Sequence, residues 1–435
     1  MTLRNRELAA LLTVGLLTAI GFSTVYIALK SQISGGSLSY ALFFFGLYLV
    51  AHIVARVTVP LADPYLLPMA ALFTAIGITE IYRLGPSNAF RQGLWIVIGV
   101  GVFAATLFWL RHDYRVLERY KYVFGVTALG LIFLPRLPVI GETINGSRLW
   151  IHVGSLQIQP GELGKIALIV FLAAYLREKR EVLAQGRLKD WGPLLVIWGG
   201  AMLLLFVTND LGSALLYYGI FLAMLYLATA RISFVAAALG LFLVGSFAIS
   251  RATPHVEARI TDWLSPWTTH KVACPGTAPT LRQNCESYQL VQSLYSIGHG
   301  GVGGTGLARG IVTLPNGQQV VPDLNTDFIY SALAQELGLV GVAALILLYM
   351  AFVLRGFQIA LTASDGFSKL LAAGLSFGFA FQTFVIVGGI TRVIPLTGIT
   401  LPFVSYGGSS VVANFLLVAG LMLISNRANR ERATT

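Results

Sequence analysis

Charged residues are scarce in this chain of 435 residues. Only 11% of the residues are charged and 19 are acidic, whereas 56% are hydrophobic and the mean hydropathy is +0.75. A soluble domain of this composition could not cover its surface with polar groups. The composition therefore excludes an ordinary soluble protein and predicts an all-α polytopic membrane protein. The number of globular domains cannot be estimated from the length of such a protein.

Cysteine and histidine are also rare, with two and six residues. Cys274 and Cys285 lie close together in a segment placed outside the membrane, where an oxidising environment favours a disulfide over the alternative of two free thiols. Only His270 lies near them, which disfavours a zinc site. No cleavable signal peptide is evident, because the first apolar run, residues 8–29, is too long for one and leads into further apolar runs.

Apolar runs long enough to cross a bilayer recur along the chain, taking roughly 17–25 residues as one crossing. They predict one integral membrane domain over residues 1–435 with about twelve transmembrane helices. The twelve runs are 8–29, 38–55, 66–84, 94–110, 119–137, 161–176, 193–207, 211–230, 233–249, 330–354, 370–388 and 410–424.

Basic residues set the predicted orientation, since short cytoplasmic loops are enriched in lysine and arginine. With twelve spans, both termini and all the basic loops fall on the cytoplasmic side, and residues 138–160 and 251–328 form the outer loops. The net charge of +11 needs no nucleic-acid partner, because topology and anionic membrane lipids account for it. The basic loops and the tail contain Arg111, Arg115, Arg119, Lys121, Arg177, Lys179, Arg180, Arg187, Lys189, Arg427, Arg430 and Arg432.

Polar residues occur at four places at the outer ends of these spans. A charge near the bilayer centre costs at least ~2.5–3.5 kcal/mol, so such residues are candidates for function. After Pro160, which suits a helix start, Glu162 and Lys165 lie on one helix face, as a functional pair or as a structural ion pair. Asp210 opens the eighth span, where it is either functional or a helix N-cap.

The other two places flank the last three spans. Asp327 precedes the tenth span, where helix capping is again the alternative, and Glu336 lies deeper and is expected to face the bundle interior. Two prolines and three glycines interrupt residues 391–410, and irregular backbone at that depth survives only against protein or a wet cavity. Arg392 adds a cation there or extends to the lipid headgroups.

Together the four places predict an outward-open polar cavity that contains carboxylates, cations and a tryptophan. Cations can hold phosphate, a carboxylate can accept a proton from a hydroxyl, and an aromatic ring can pack on a sugar. Chemistry on an anionic lipid-linked sugar needs these groups. A transporter site fits the same description, and the residues alone do not separate the two functions.

Several stretches resemble the signature blocks of the SEDS family, which comprises RodA, FtsW and SpoVE. They are "QPGELGK" from Gln159, "NDLGSAL" from Asn209, "VQSLYSIGHGGVGGTGL" from Val291, "NTDFIYSALAQELGLVG" from Asn325 and "LPFVSYGGSS" from Leu401. Their order is that of the family over about two-thirds of the chain. Residues 1–65 then form an extra N-terminal helix pair, and residues 66–435 form the ten-helix core with its outer loop 251–328. This longer form is more similar to RodA than to FtsW.

The resemblance implies a peptidoglycan glycosyltransferase of the bacterial cytoplasmic membrane. Such enzymes polymerise lipid II, the undecaprenyl-pyrophosphate-linked disaccharide-pentapeptide, at the outer membrane face beside a class B penicillin-binding protein. A role in elongation is favoured over division. The family's essential aspartate corresponds to Asp327 and its tryptophan to Trp150, with Ser405 in the last block among the substrate-binding candidates. A lipid II flippase and a non-catalytic scaffold for the penicillin-binding protein are the alternatives.

Three departures from the family pattern affect the predicted roles. Gly161 replaces the usual serine, and Gln335 replaces an acid, which argues against an essential acid there. Arg148 stands one position further from the tryptophan than usual. By the predicted mechanism Asp327 is a general base, and Arg148, Lys165 or Arg392 stabilises the leaving diphosphate with or without a divalent cation (Mg or Mn). No closed set of metal ligands is recognisable in the sequence.

Overall fold

Long apolar helices make up most of the chain, because hydrocarbon offers no hydrogen-bond partner to the backbone and a helix satisfies its own. The computed structural model describes residues 2–30, 35–138, 140–144, 147–154, 156–184, 191–208, 210–252, 254–269, 271–274, 277–285, 287–314 and 318–434. The helices are α1 (Leu3–Lys30), α2 (Gly35–Thr58), α3 (Leu66–Leu84), α4 (Pro86–Leu110), α5 (Val116–Arg119), α6 (Lys121–Phe133), α7 (Pro160–Ala184), α8 (Gly192–Val207), α9 (Leu211–Thr229), α10 (Ile232–Ala252), α11 (Pro254–Leu264), α12 (Tyr288–Gly300), α13 (Ile329–Thr362), α14 (Gly366–Ile390) and α15 (Gly408–Thr434).

Each of the twelve predicted spans coincides with one of these helices, and the all-α polytopic class is confirmed. In the described part of the chain, eight helices are long and apolar enough to cross a membrane, namely α1 to α4, α9 and α13 to α15. Two shorter apolar helices, α8 and α10, accompany them. The α6 helix has 13 residues, and α7 carries Glu162 and Lys165 in its first two turns. The number of crossings therefore stays a prediction.

The two segments predicted as outer loops contain regular structure. Strands β1 (Gly141–Ile144), β2 (Ser147–Val153) and β3 (Leu156–Ile158) form an antiparallel sheet just before α7. The larger segment contains α11, a two-stranded sheet of β4 (Lys271–Cys274) and β5 (Thr277–Leu281), and α12. The predicted long loop thus contains two helices with amphipathic sequences, α11 and α12, and a small sheet.

The bundle centre consists of α7, α13, α14 and α15, each packed against several neighbours. The α1–α2 pair packs mainly against α3 and α4 at one edge. A buried cluster joins this pair, in which Glu7 accepts a hydrogen bond from Arg4 and contacts His52 Nδ1 at 2.6 Å. The division into a pair, residues 1–65, and a core, residues 66–435, stays a prediction.

A glycine interrupts α13 near its outer end. Gly338 has φ 66° and ψ −172°, which is not helical, so that Gln335 and Glu336 keep free carbonyl groups. Those carbonyls accept hydrogen bonds from the backbone amides of Thr305 and Gly306, in the glycine-rich segment that follows α12. A Cβ at Gly338 would lie 2.2 Å from the Gly304 nitrogen, so only glycine fits. The outer segment is therefore hydrogen-bonded directly into a membrane helix.

Candidate active site

Four helices begin close together at the outer end of the bundle: α7, α9, α13 and α15. The backbone amide of Gln159, just before α7, donates to Ser409 Oγ at the start of α15 (2.7 Å). Gly212 in the first turn of α9 packs against the carbonyl of Thr397, in the irregular segment between α14 and α15. Helix N-termini carry partial positive charge and unpaired amides, so this arrangement favours an anionic ligand.

Asp327 lies at this end, one residue before the N-cap of α13. That N-cap is Phe328, and no side chain among the described residues caps the helix, so the structure does not support the capping alternative for Asp327. The carboxylate oxygen Oδ2 lies 3.5 Å from the point where a Cβ at Gly398 would stand, and the guanidinium of Arg259 lies 3.8 Å from the same point. Gly398 has φ 69°, in the region that favours glycine.

Burial first, and the charge of Asp323 second, raise the pKa of the Asp327 carboxyl from 3.8 to about 7, against the opposing charge of Arg259. Burial lowers the pKa of Arg259, against the charges of Asp327, Asp210 and Asp262. A carboxyl with a pKa near neutrality can accept a proton at physiological pH and release it again. The site thus holds a partly desolvated carboxyl next to a fixed cation.

Arg259 is a site residue that the sequence reasoning missed. It lies on α11, in the segment taken as a loop, and its Nη1 donates to the carbonyl of Leu396 at 2.9 Å. The signal was the amphipathic stretch "PHVEARITDWL" from Pro254, which places polar residues on one face and apolar residues on the other. A periodicity test on the outer segment would have found this helix.

Glu162 and Lys165 form the predicted pair in the first turns of α7. Lys165 Nζ donates to Glu162 Oε2 at 2.8 Å and to Gln382 Oε1 at 2.5 Å, and Gln382 Nε2 donates to the carbonyl of Thr400 at 2.8 Å. Lys165 and Glu162 are buried. This network joins α7, α14 and the irregular segment, so the lysine charge has a fixed place in the site.

Asp210 is the N-cap of α9, which agrees with the helix-capping alternative given for it in the sequence analysis. Its Oδ1 accepts a hydrogen bond from the Ser213 amide at 2.9 Å. Burial raises the pKa of Asp210, the hydrogen bonds from Ser213 lower it, the charge of Glu162 raises it, and Arg259 lowers it. The structure therefore brings Asp210 into the same charged group as Glu162 and Arg259 while it caps its helix.

Ser405 positions the segment that carries Asp327. Its hydroxyl accepts from the Leu401 amide at 2.9 Å and donates to the carbonyl of Thr326 at 2.6 Å. The neighbouring Tyr406 amide donates to the carbonyl of Asn325 at 2.8 Å. The substrate-binding role predicted for Ser405 stays a prediction, and its contacts are those of a positioning residue.

The two other predicted cations are engaged by backbone carbonyls. Arg148 Nη2 donates to the carbonyls of Leu137, Pro138 and Gly141, and so holds the β1–β2 hairpin. Arg392 donates to the carbonyls of Trp263 and Leu264, and so anchors α11. Trp150 lies on β2 opposite Glu142 and is half-buried. The substrate-binding roles predicted for Arg148, Arg392 and Trp150 stay predictions.

The predicted disulfide is described at one end only. Cys285 is disulfide-bonded. The side chain of Cys274 lies outside the described residues, although its backbone ends β4. The pairing of the two cysteines stays a prediction.

Glu336 belongs to a second, deeper cluster. It is 1% exposed, as expected for a residue facing the interior. Its carboxylate contacts Arg83 Nε at 2.6 Å and accepts from the amides of Ala308 (2.7 Å) and Gly310 (3.3 Å). Glu80 lies beside Arg83 on α3, 3.6 Å away. The sequence reasoning missed Glu80 and Arg83, although both interrupt an apolar run at helical spacing.

Two hydroxyls at the site are buried without a hydrogen-bond partner among the described residues, Thr397 Oγ1 and Thr400 Oγ1. An unpaired buried hydroxyl is costly unless a ligand or water completes it. Within the described residues, no group of three or more His, Cys, Asp or Glu side chains could hold a metal ion. The outward-open polar cavity predicted at this end of the bundle stays a prediction.

Comparisons with known proteins agree on one family. Residues 55–430 match the family model described as cell cycle protein, FTSW_RODA_SPOVE. The protein named Peptidoglycan glycosyltransferase RodA of Mycobacterium bovis is 38% identical over 456 residues, which cover 100% of this chain and 92% of that protein.

Solved structures share the fold. A chain from "Structural coordination of polymerization and crosslinking by a peptidoglycan synthase complex" aligns with a TM-score of 0.66 and 25% identity, covering 85% of this chain and 98% of that chain. The Rod shape determining protein RodA of Thermus thermophilus aligns with a TM-score of 0.59 and 26% identity, covering 84% and 97%.

Proposed function

This chain belongs to the FtsW, RodA and SpoVE family, and from that premise we propose that Asp327 is the general base with which it polymerises lipid II. The chain is a peptidoglycan glycosyltransferase and a multi-pass protein of the bacterial cytoplasmic membrane. Its role in cell shape fits its similarity to RodA over the full chain. Its proposed partner is a class B penicillin-binding protein, because a structural neighbour comes from a peptidoglycan synthase complex.

The proposed reaction is a single displacement at the anomeric carbon of the donor sugar. The Asp327 carboxylate removes the proton from the 4-hydroxyl of the acceptor GlcNAc as that oxygen bonds to the anomeric carbon. The bond from that carbon to the diphosphate oxygen breaks, and the lipid diphosphate leaves with the electron pair. One displacement inverts the linkage from α to β and needs a base but no covalent intermediate.

The observation that carries this proposal is the environment of Asp327. Its carboxyl is partly desolvated, has a pKa of about 7, and is free of the helix-capping duty that would explain its place structurally. The ideal pKa of a general base lies near the operating pH. The neighbouring cation, Arg259, keeps part of the carboxyl ionised against the burial.

The leaving diphosphate is proposed to meet Lys165, Arg259 and the four helix N-termini. These groups are fixed before the substrate arrives, so they stabilise developing negative charge without reorganisation. The hydroxyls of Thr397 and Thr400, which lack partners among the described residues, complete the proposed contacts by donating to sugar or phosphate oxygens. If a divalent cation binds at the site, the carboxylates of Glu162 and Asp210 would contact it. The reaction steps proposed above do not require a divalent cation.

The test is the Asp327→Asn variant, purified at equal folded protein and incubated with lipid II in detergent. The substitution keeps size and removes the base, so we expect turnover to fall at least ~10²-fold. The Asp323→Asn variant is the matched control, since Asp323 lies in the exposed part of the same segment, and it is expected to stay active. In the wild-type enzyme, turnover should rise with pH to a plateau above about 7. Normal turnover by Asp327→Asn would remove Asp327 as the base.

The same assay separates the alternative functions. Glycan polymer formed in detergent, where no bilayer separates two compartments, excludes transport as the sole activity. A wild-type protein that binds the penicillin-binding protein but forms no polymer would instead be a scaffold. Charge reversal of both Glu162 and Lys165 adds a further check. It is expected not to restore activity, because the lysine charge is proposed to meet phosphate as well as its partner.

A further inference from the structure

A basic cavity lies at the opposite end of the bundle from Asp327. It has a volume of about 190 Å³ and is formed by the end of α4, the residues after it, and the end of α15. Three arginines and one histidine line it against a single lining carboxylate. The lining residues are Arg111, His112, Tyr114, Leu423, Asn426, Arg427, Arg430 and Glu431.

Arg111 is the unexplained member of this cavity. It is half-buried and its Nε atom is buried, yet within the described residues that nitrogen has no hydrogen-bond partner and no carboxylate pairs with the guanidinium. Its one described contact is the ring of Phe108, 4.4 Å from the guanidinium carbon. A buried guanidinium N–H without an acceptor is costly, and an anion in the cavity would supply one.

The neighbouring charges leave the cavity basic. Arg427 donates to Glu431 Oε1 at 2.9 Å and to Asp113 Oδ1 at 3.2 Å, so its charge is largely balanced. Asp113 also accepts from Arg115. On the α14 side, the hydroxyl of Tyr114 is hydrogen-bonded to Ser368, which in turn donates to Asp365. The positive charge of Arg111 is therefore not neutralised by these carboxylates.

The surface beside the cavity indicates where its ligand comes from. Trp109 is 77% exposed and Phe108 is 54% exposed at the end of α4, two and three residues from Arg111 toward the membrane. Exposed aromatic residues at the end of a membrane helix mark the headgroup level, where their apolar rings meet lipid. The cavity thus opens beside lipid, and basic pockets of this kind between membrane helices bind anionic headgroups.

We propose that this cavity binds the phosphate of an anionic phospholipid at the cytoplasmic membrane face, with Arg111 and Arg430 as its cationic contacts. The lipid's acyl chains would lie along the exposed aromatic side of α4. Because α15 and the α4–α5 connection both line the cavity, a bound headgroup would bridge them. The site lies away from Asp327, so it does not rest on the proposed reaction.

The test is lipid binding to the full chain in mild detergent, counted by native mass spectrometry. Dioleoylphosphatidylglycerol is compared with dioleoylphosphatidylcholine for wild type, Arg111→Gln and the control Arg119→Gln. Arg119 is exposed on the same face but does not line the cavity. An arginine near anionic lipid strengthens binding electrostatically, so its loss should weaken phosphatidylglycerol binding about fivefold. The control should bind as the wild type does.

A second variant and a competition keep the outcome decisive. Arg430 is exposed, so Arg430→Gln is expected to fold and to weaken binding of the same lipid by a similar factor. Inorganic phosphate is added in parallel as a soluble competitor. Equal binding of the two lipids, or equal loss in Arg111→Gln and Arg119→Gln, overturns the site. Strong binding of inorganic phosphate without preference for phosphatidylglycerol overturns its assignment to a lipid.

Discussion

The Asp327→Asn variant is expected to be more stable than the wild type at neutral and alkaline pH. Burial holds the folded-state pKa of this carboxyl at about 7, against 3.8 for an ordinary aspartate. The ionised form is therefore disfavoured in the folded protein relative to the unfolded chain, in which the carboxyl is solvated. Asparagine has the same shape and never ionises, so the substitution removes this penalty.

The size of the effect follows from the shift. A rise of this extent corresponds to at most about 4 kcal/mol, taking 1.36 kcal/mol for each pKa unit. Because the side chain is partly exposed and solvent screens it, about 2 kcal/mol is the expected gain. Below about pH 4 the carboxyl is protonated in both the folded and the unfolded state, so the free-energy penalty of ionisation is absent. Between about pH 4 and 7 this penalty grows, and above about pH 7 it is complete.

Thermal unfolding in detergent at pH 5 and pH 8 measures this difference. The melting temperature of Asp327→Asn should exceed that of the wild type by several degrees at pH 8 and by less at pH 5. Asp323→Asn is the control, because Asp323 is exposed and its charge adds only the smaller contribution to the raised pKa of Asp327, so its gain should be smaller at both pH values. An Asn variant that melts at or below the wild-type temperature at pH 8 would show that Asp327 carries no desolvation penalty.

Three further outcomes are expected. Lys165→Met leaves a carboxylate buried without its cation, so turnover should be lost and the free energy of unfolding should fall by about 3–5 kcal/mol, as measured by polymerisation and chemical denaturation. Arg83→Met, which breaks the buried ion pair with Glu336, should destabilise the folded protein similarly. Arg355→Met breaks a partly exposed ion pair with Asp63 and should change the free energy of unfolding by about 1 kcal/mol or less. Equal effects of the two substitutions would contradict the argument from burial. Thiol labelling of the denatured, unreduced protein should be negative if Cys274 and Cys285 are bridged, and full labelling would disprove the bridge.

The sequence was sufficient for the helices because their physical signal is strong. A run of about twenty apolar residues has few alternatives to a membrane helix, so each of the predicted spans falls on one. The interior position of Glu336 followed from the cost of exposing a charge to lipid. The pairing of Glu162 with Lys165 followed from helical spacing alone.

Other features could not be predicted because they depend on contacts between distant segments. Arg148 and Arg392 are cations at plausible positions, but their engagement with backbone carbonyls is visible only once the hairpin and α11 are placed. Two aspartates with similar sequence contexts differ in whether they cap a helix. Asp210 caps α9 and Asp327 caps nothing, a difference set by where each backbone enters its helix.

The interruption of α13 at Gly338 divides that helix into two bodies. The short outer body, residues 329–337, has Asp327 just before its first turn, and at its far end it shares hydrogen bonds with the glycine-rich segment rather than with the rest of α13. A displacement of the outer segment would therefore rotate the short body about Gly338 and shift Asp327 relative to Lys165, which sits on the separate helix α7. A protein bound to the outer segment would thereby change the distance between Asp327 and Lys165 without touching either residue.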